Sequence, residues 1–272
     1  MIYSALFLIS HCDLFLLFLF FILGLVVGSF LNVVIFRLEK EEGGILTGRS
    51  HCPLCGQTLK WFELIPLVSF LLQRGRCRYC KKPISWVYPL VELATASIFV
   101  SLFLKFGLTA QLLFWLGISA CLIILFVTDL RTQTVYDLIC YIAIAFALAR
   151  LVYWYFAFEN HLFIWAALEG ALVAGAFFGL LVLLSHETWM GQGDIFLGVL
   201  AGLTLGYPKV LIALFLAFLL GALVGGFLLI FKKKGWRSEV PFGPFLVSAI
   251  FLTLFLGNPI LKWYLGLFYG LI

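Results

Sequence analysis

The stretch LFLLFLFFILGLVVGSFLNVVIF, residues 14–36, decides the fold: it is unbroken by any charge and ends on Arg37. About 20 apolar residues suffice to carry a helix across the hydrocarbon core of a bilayer, and this run exceeds that. No basic segment precedes it and basic residues follow it, which predicts a retained span and not a cleaved leader.

Further apolar runs follow at 87–104, 109–128, 138–157, 163–185, 195–206, 209–231 and 242–257, with an apolar tail to Ile272. The 195–206 run is short for a crossing and is broken near Gly206 and Pro208. Composition agrees: 64% of the 272 residues are apolar, 11% are charged, and 30 are phenylalanine. A soluble domain is about half apolar and one quarter charged, so a single water-soluble globule is excluded, as are disorder and a coiled coil. The sequence predicts an all-α polytopic membrane protein of about eight transmembrane helices with one polar insertion, embedded in the lipid bilayer.

The net charge of +5 does not indicate a nucleic-acid site, because the basic residues sit in loops between spans. Half of the 18 Lys and Arg fall between Arg37 and Lys82, and Lys232, Lys233, Lys234 and Arg237 form a second patch. Alternating the loops puts 14 of the 18 on one side and only Lys105, Lys209 and Lys262 on the other, with Arg150 inside a run. By the positive-inside rule the 37–87 loop is cytoplasmic and the N-terminus outside.

Within the long loop, Cys52–Pro–Leu–Cys55 and Cys77–Arg–Tyr–Cys80 are two C-x2-C pairs separated by 21 residues. Each pair forms a knuckle that offers two thiolates, and two knuckles complete a tetrahedral zinc shell. Two disulfides are the competing reading, which a cytoplasmic location disfavours. Such a four-sulfur site is structural: it organises a zinc-ribbon-like loop too small to have its own core. Cys12, Cys121 and Cys140 stand alone in or near apolar segments and read as small buried hydrophobes.

Two short loops on the same predicted face carry carboxylates. One is Asp129–Leu–Arg–Thr–Gln–Thr–Val–Tyr–Asp137; the other ends Met190–Gly191–Gln192–Gly193–Asp194 and runs straight into an apolar helix. Paired carboxylates share a proton, so that one acts as base and the other as acid, as in aspartic peptide hydrolysis. Gly191 and Gly193 would allow close backbone approach of a substrate chain. The plainer reading of Asp194 is a helix N-cap. Glu92 and Glu169 also lie within apolar runs, where each must face protein or water; structural hydrogen bonding is their simpler role. Gly170–Gly175 and Gly221–Gly225 read as helix-packing segments.

These features occur in a recognisable order. Gly28–Ser–Phe–Leu–Asn–Val–Val–Ile–Phe–Arg37 is followed by Ser50–His–Cys–Pro–Leu–Cys55, Ile65–Pro–Leu–Val–Ser69 and Arg74–Gly–Arg–Cys–Arg–Tyr–Cys80. Tyr88–Pro–Leu–Val–Glu92 and Pro241–Phe–Gly–Pro–Phe245 complete the set. With the two aspartates between them, the chain resembles the bacterial type IV prepilin peptidases, membrane aspartic proteases of the GxGD type that are leader peptidase/N-methyltransferases.

The resemblance implies that Asp129 and Asp194 are the catalytic pair, supported by Gly191, Gly193 and Asp137. It implies cleavage of the basic leader of prepilins or pseudopilins at the cytoplasmic face of the bacterial inner membrane. Methylation of the new N-terminus by S-adenosylmethionine would follow. The implied division is a first helix over 1–36, a methyltransferase-associated zinc loop over 37–87 and a peptidase domain over 88–272. Two positions depart from the family: Tyr136 stands where proline is common, and Phe196 where lysine is common. A peptidase without methyltransferase activity, or a non-enzymatic zinc-ribbon scaffold, are the rival readings.

Overall fold

The computed structural model describes residues 11–40, 48–159, 161–188, 190–231 and 240–269. The basic patch at Lys232–Lys234 and Arg237, and the side chain of Cys12, lie outside the described residues. The chain forms helices α1 (His11–Glu39), α2 (Val68–Leu72), α3 (Val87–Phe106), α4 (Ala110–Thr132), α5 (Asp137–Phe158), α6 (His161–Ser185), α7 (Gln192–Leu205), α8 (Lys209–Ile230) and α9 (Gly243–Tyr269). A single 3-10 turn spans Trp61–Leu64. Among the described residues, β-structure is limited to two isolated bridges, His51 with Thr58 and Arg76 with Pro83. Among the described residues, seven helices are long and apolar enough to cross a membrane; a further apolar helix, α7, has only 14 residues. The expected run at 242–257 and the described part of the apolar tail, as far as Tyr269, form one helix that continues through Pro259.

The chain divides into two compact units, with the boundary inside α4 between Ile123 and Ile124. In the first unit α1 packs on α3. A Cβ on Gly24 would lie 2.5 Å from the Ala96 Cα, and one on Gly28 would lie 2.7 Å from the Glu92 Cα. Both glycines therefore let the helices touch backbone to backbone, as small residues do between membrane helices. Phe20 and Phe103 stack beside them at 4.7 Å.

The polar loop is tied to this helix pair through backbone groups. The Glu92 Oε2 accepts the Leu67 N–H at 2.8 Å, the Asn32 amide donates to the Tyr88 carbonyl at 3.0 Å, and the Ser29 hydroxyl donates to the Leu64 carbonyl at 3.4 Å. Arg37 donates to the Gly48 carbonyl at 3.0 Å. Glu92 is thus a structural carboxylate, buried among the groups it binds.

In the second unit α7 is the central helix, contacted by α5, α6, α8 and α9. Leu197, Leu200 and Ala201 are fully buried. At 1.5 Å per residue α7 is about 21 Å long, against about 30 Å of hydrocarbon. Burial in protein removes the need to match the bilayer, but its C-terminal carbonyls still need partners there. Arg150 of α5, itself buried, donates to the carbonyls of Leu203 at 3.2 Å and Thr204 at 2.9 Å. That places a cation at the negative end of the α7 dipole. The Tyr207 N–H then donates to the Ala166 carbonyl of α6 at 2.7 Å, fixing the turn that leaves the helix.

The α6–α7 seam is the closest in the unit. A Cβ on Gly202 would collide with the backbone of Gly170 and Ala171, and one on Gly198 with the Phe178 ring. Of the two expected packing segments, Gly170 and Gly175 meet α7 directly and Gly221 faces Phe245 at ordinary contact, whereas Gly225 has open space around it. Glu169 departs from expectation: the inward stripe of α6 is Gly170, Ala174 and Phe178, which leaves Glu169 exposed.

Gly202→Ile should overpack the seam and lower stability by about 1–3 kcal/mol or more. Gly225→Ala should change it by less than about 0.5 kcal/mol. Thermal unfolding in detergent micelles reads both, and an unchanged midpoint for Gly202→Ile would contradict this packing.

Candidate active site and metal centre

Asp129 lies in the last turns of α4 and Asp194 in the first turn of α7; they are 5% and 8% exposed. The N-cap of α7 is Gly191, so Asp194 is the third helical residue and not the cap that its sequence position suggested. Its carboxylate instead reaches back to the Gly191 N–H, half of a capping box. The positive end of the α7 dipole also favours an anion there.

The two aspartates line one cleft of about 260 Å³ and lie close enough for Asp194 to feel the charge of Asp129. Gln133, Val135, Glu187, Gly191, Gly193 and the Val240–Phe242 segment complete its walls. Asp137 is an exposed residue at the start of α5 and does not line the cleft.

Two glycines allow close approaches around the pair. The Gly243 N–H, at the start of α9, donates to the Asp129 carboxylate, and a Cβ on Gly243 would lie 2.5 Å from Asp129 Oδ2. A Cβ on Gly193 would lie 2.5 Å from the Val135 Cβ. Gly193 therefore admits the chain's own loop after α4, while a Cβ on Gly191 would meet nothing within 4 Å. Phe196 packs edge-on against Tyr141 at 5.3 Å.

Sequence reasoning did not assign Gly243, Val135 or Glu187 to this site. The Pro241–Phe–Gly–Pro–Phe245 motif was the available signal for Gly243, without a partner attached to it.

In the other unit Cys52, Cys55, Cys77 and Cys80 bring their Sγ atoms within 4.8 Å of one another. Zn–S bonds of about 2.3 Å in a tetrahedron require sulfurs about 3.8 Å apart, so the cluster fits a four-thiolate ion. None of the four is in a disulfide.

The two knuckles repeat one backbone pattern. Cys52 N–H donates to the Gln57 carbonyl and Gly56 N–H to the Cys52 carbonyl, each at 2.9 Å; Cys77 with Lys82, and Lys81 with Cys77, do the same at 2.9 Å. The turn needs a left-handed residue four positions after the first cysteine. Gly56 (φ 69°) supplies it in one knuckle and Lys81 (φ 59°) in the other.

The thiols differ in acidity. The Cys80 and Tyr79 N–H groups directed at Cys77 pull its thiol down to about 7, against the cost of desolvation. Cys55 goes up to about 11: the Gln57 N–H favours its thiolate, but desolvation and the neighbouring Cys52 and Cys80 sulfurs outweigh it. A divalent cation is what lets sulfurs this close ionise together. Cys121 and Cys140 are buried, as the sequence suggests.

Two family models match the chain: the Bacterial Peptidase A24 N-terminal domain over residues 22–106 and the Type IV leader peptidase family over residues 115–226. A Bacillus subtilis (strain 168) protein named prepilin leader peptidase/N-methyltransferase is 32% identical over 92% of this chain and 98% of its own length. Proteins of the same name from Aeromonas hydrophila and Legionella pneumophila are 35% and 32% identical over 91% and 92% of the chain, covering 93% and 95% of their own lengths. No solved structure matches the chain significantly. The chain belongs to the type IV leader peptidase family.

Cys52→Ser or Cys77→Ser removes one of four thiolates from a site of a kind that contributes about 10 kcal/mol or more in small peptides. Limited proteolysis between residues 48 and 86 should accelerate while the spans remain inserted. Purified wild-type protein should carry one zinc by elemental analysis, and its absence would contradict the site.

Proposed function

We propose that the protein cleaves the basic leader of prepilins or pseudopilins at the cytoplasmic face of the bacterial inner membrane, by a two-aspartate mechanism, and methylates the exposed amino group with S-adenosylmethionine. The observation that carries the reading is the convergence of Asp129 and Asp194, from α4 and α7, on one cleft. The names of the similar proteins give the same pair of activities. The basic loops support the orientation, with the N-terminus outside and the zinc loop and aspartates inside.

Two buried carboxylates this close hold one proton between them. In the first step the ionised aspartate takes a proton from a water molecule, whose oxygen bonds to the scissile carbonyl carbon. The neutral aspartate gives its proton to the carbonyl oxygen in the same step. Collapse of the tetrahedral intermediate breaks the C–N bond: the departing amine takes a proton from the pair, and a hydroxyl of the intermediate returns its proton to the other aspartate as the new carboxylate forms, so the pair again holds one proton. The Gly243 and Gly191 N–H groups bond the Asp129 and Asp194 carboxylates and orient them throughout. Gly191, with open space beside it, gives the substrate backbone room next to Asp194.

The zinc loop, over residues 37–87, serves the methylation half, and the chain from residue 88 to 272 the peptidase half. The four-cysteine ion holds the loop's shape; S-adenosylmethionine supplies the methyl group.

Asp129→Asn and Asp194→Asn preserve size but destroy the division into acid and base. Each should cut leader cleavage on the order of 10⁴-fold, and the double variant should be little worse, because residues acting as a unit are not additive. Both should still methylate a pre-cleaved pilin, and Asp137→Asn should be mild. Cleavage by the Asp194→Asn protein at the wild-type rate, read by mass change of a prepilin, would refute the assignment.

A further inference from the structure

The middle of the four-cysteine loop does not stand off from the helices that flank it. The Ser29 hydroxyl donates to the Leu64 carbonyl, and Glu92 Oε2 accepts the Leu67 N–H. At 1.5 Å per residue, Ser29 lies about 12 Å along α1 before Arg37, and Glu92 about 7 Å into α3 after Val87. Both bonding residues belong to the apolar spans Leu14–Glu39 and Val87–Phe106. The segment from Leu64 to the start of α2 is therefore held at the depth of the bilayer edge.

What the loop exposes there is apolar. Leu71 and Leu72 of α2 are 72% and 79% exposed, and Trp61, which opens the 3-10 turn, is 78% exposed. Exposed apolar side chains in such a group mark a surface that meets another apolar phase, and Trp is enriched where membrane meets water.

Leu72 also lines a cleft of about 670 Å³ that carries Arg74, Arg76, Arg78 and Lys81, all exposed. The one acidic residue in its wall, Glu63, is turned away: Oε2 accepts the Lys60 N–H at 2.8 Å and the Tyr79 hydroxyl at 3.3 Å, and Oε1 is buried. The charge offered to a ligand is thus positive. Guanidinium groups take phosphate oxygens two at a time, whereas a headgroup with its own ammonium would bring a fifth cation to four. An anionic phosphate beside exposed leucines at the membrane edge is the chemistry of an anionic phospholipid, and a soluble phosphate compound would leave the leucines unmet.

We propose that the four-cysteine loop is seated in the membrane interface, with Trp61, Leu71 and Leu72 at the acyl boundary and the arginine cleft on the phosphate of an anionic phospholipid. The inference goes beyond the two activities proposed above and requires neither. The order of the loop then depends on the charge of the lipid as well as on the metal.

The test is amide hydrogen exchange over residues 61–86 of zinc-replete, full-length protein in nanodiscs. One set is phosphatidylcholine alone, a second is equal parts phosphatidylcholine and phosphatidylglycerol, and a third is phosphatidylcholine with soluble glycerol phosphate added. Phosphatidylglycerol should slow exchange over residues 68–82 by about 5-fold or more, and glycerol phosphate should not. Arg74→Gln/Arg76→Gln/Arg78→Gln should lose that slowing with its zinc content unchanged. If that variant loses zinc, Leu71→Ser/Leu72→Ser, which lies outside both knuckles, decides the matter and should lose the slowing as well. Equal exchange of the wild type in the two lipids, or full slowing in the deciding variant, overturns the proposal. Equal slowing by glycerol phosphate also overturns it, and would make the cleft a site for a soluble phosphate compound.

Discussion

Bringing Asp194 next to Asp129 rests on a helix that buries one face from its first turn to its last. Helix α7 does so because it is short and rich in small residues. Gly198 and Gly202 admit α6 to backbone contact, and Leu197, Leu200 and Ala201 fill the space toward the other neighbours. A 14-residue helix cannot reach across the hydrocarbon unaided, so its far end needs substitutes for water. Arg150 and the Ala166 carbonyl provide them. One end of α7 is fixed by the buried Arg150 and the other carries the Asp194 carboxylate.

The unit with the four-cysteine loop solves a different problem with the same economy. A polar segment without a core of its own is held at three places: four thiols gather its two knuckles, Glu92 grips the Leu67 N–H, and Asn32 and Ser29 bind carbonyls of the loop and of the α3 start. Gly24 and Gly28 bring α1 against α3 closely enough for these contacts to form. The side chains that hold the loop come from membrane helices, so the order of the loop is tied to the order of the helix pair.

Much of this was legible because lipid and metal impose local rules. A span must be a long apolar run, and four zinc thiolates come as two C-x2-C pairs; both are visible in a line of sequence. The convergence of Asp129 and Asp194 was legible only through loop alternation and family resemblance. What stayed hidden has backbone partners. Glu92 answers to a Leu67 N–H, Arg150 to two carbonyls and Asp129 to a Gly243 N–H, and a backbone group carries no signature in the sequence. Which way a helix faces was hidden too. The hydropathy around Glu169 does not reveal that Gly170 takes the inward side. The continuation of α9 through Pro259 was missed because proline normally ends a helix.

The account turns on one proton shared by two carboxylates, and the pH dependence of kcat/KM for leader cleavage by the wild-type protein examines that most directly. Protonating both aspartates removes the base and ionising both removes the acid, so the profile must fall on each side of a maximum, with apparent pKa values that belong to the pair. A bell-shaped profile is the predicted result. A rate that climbs to a plateau and shows no alkaline decline, while the protein remains folded, would contradict the shared-proton mechanism.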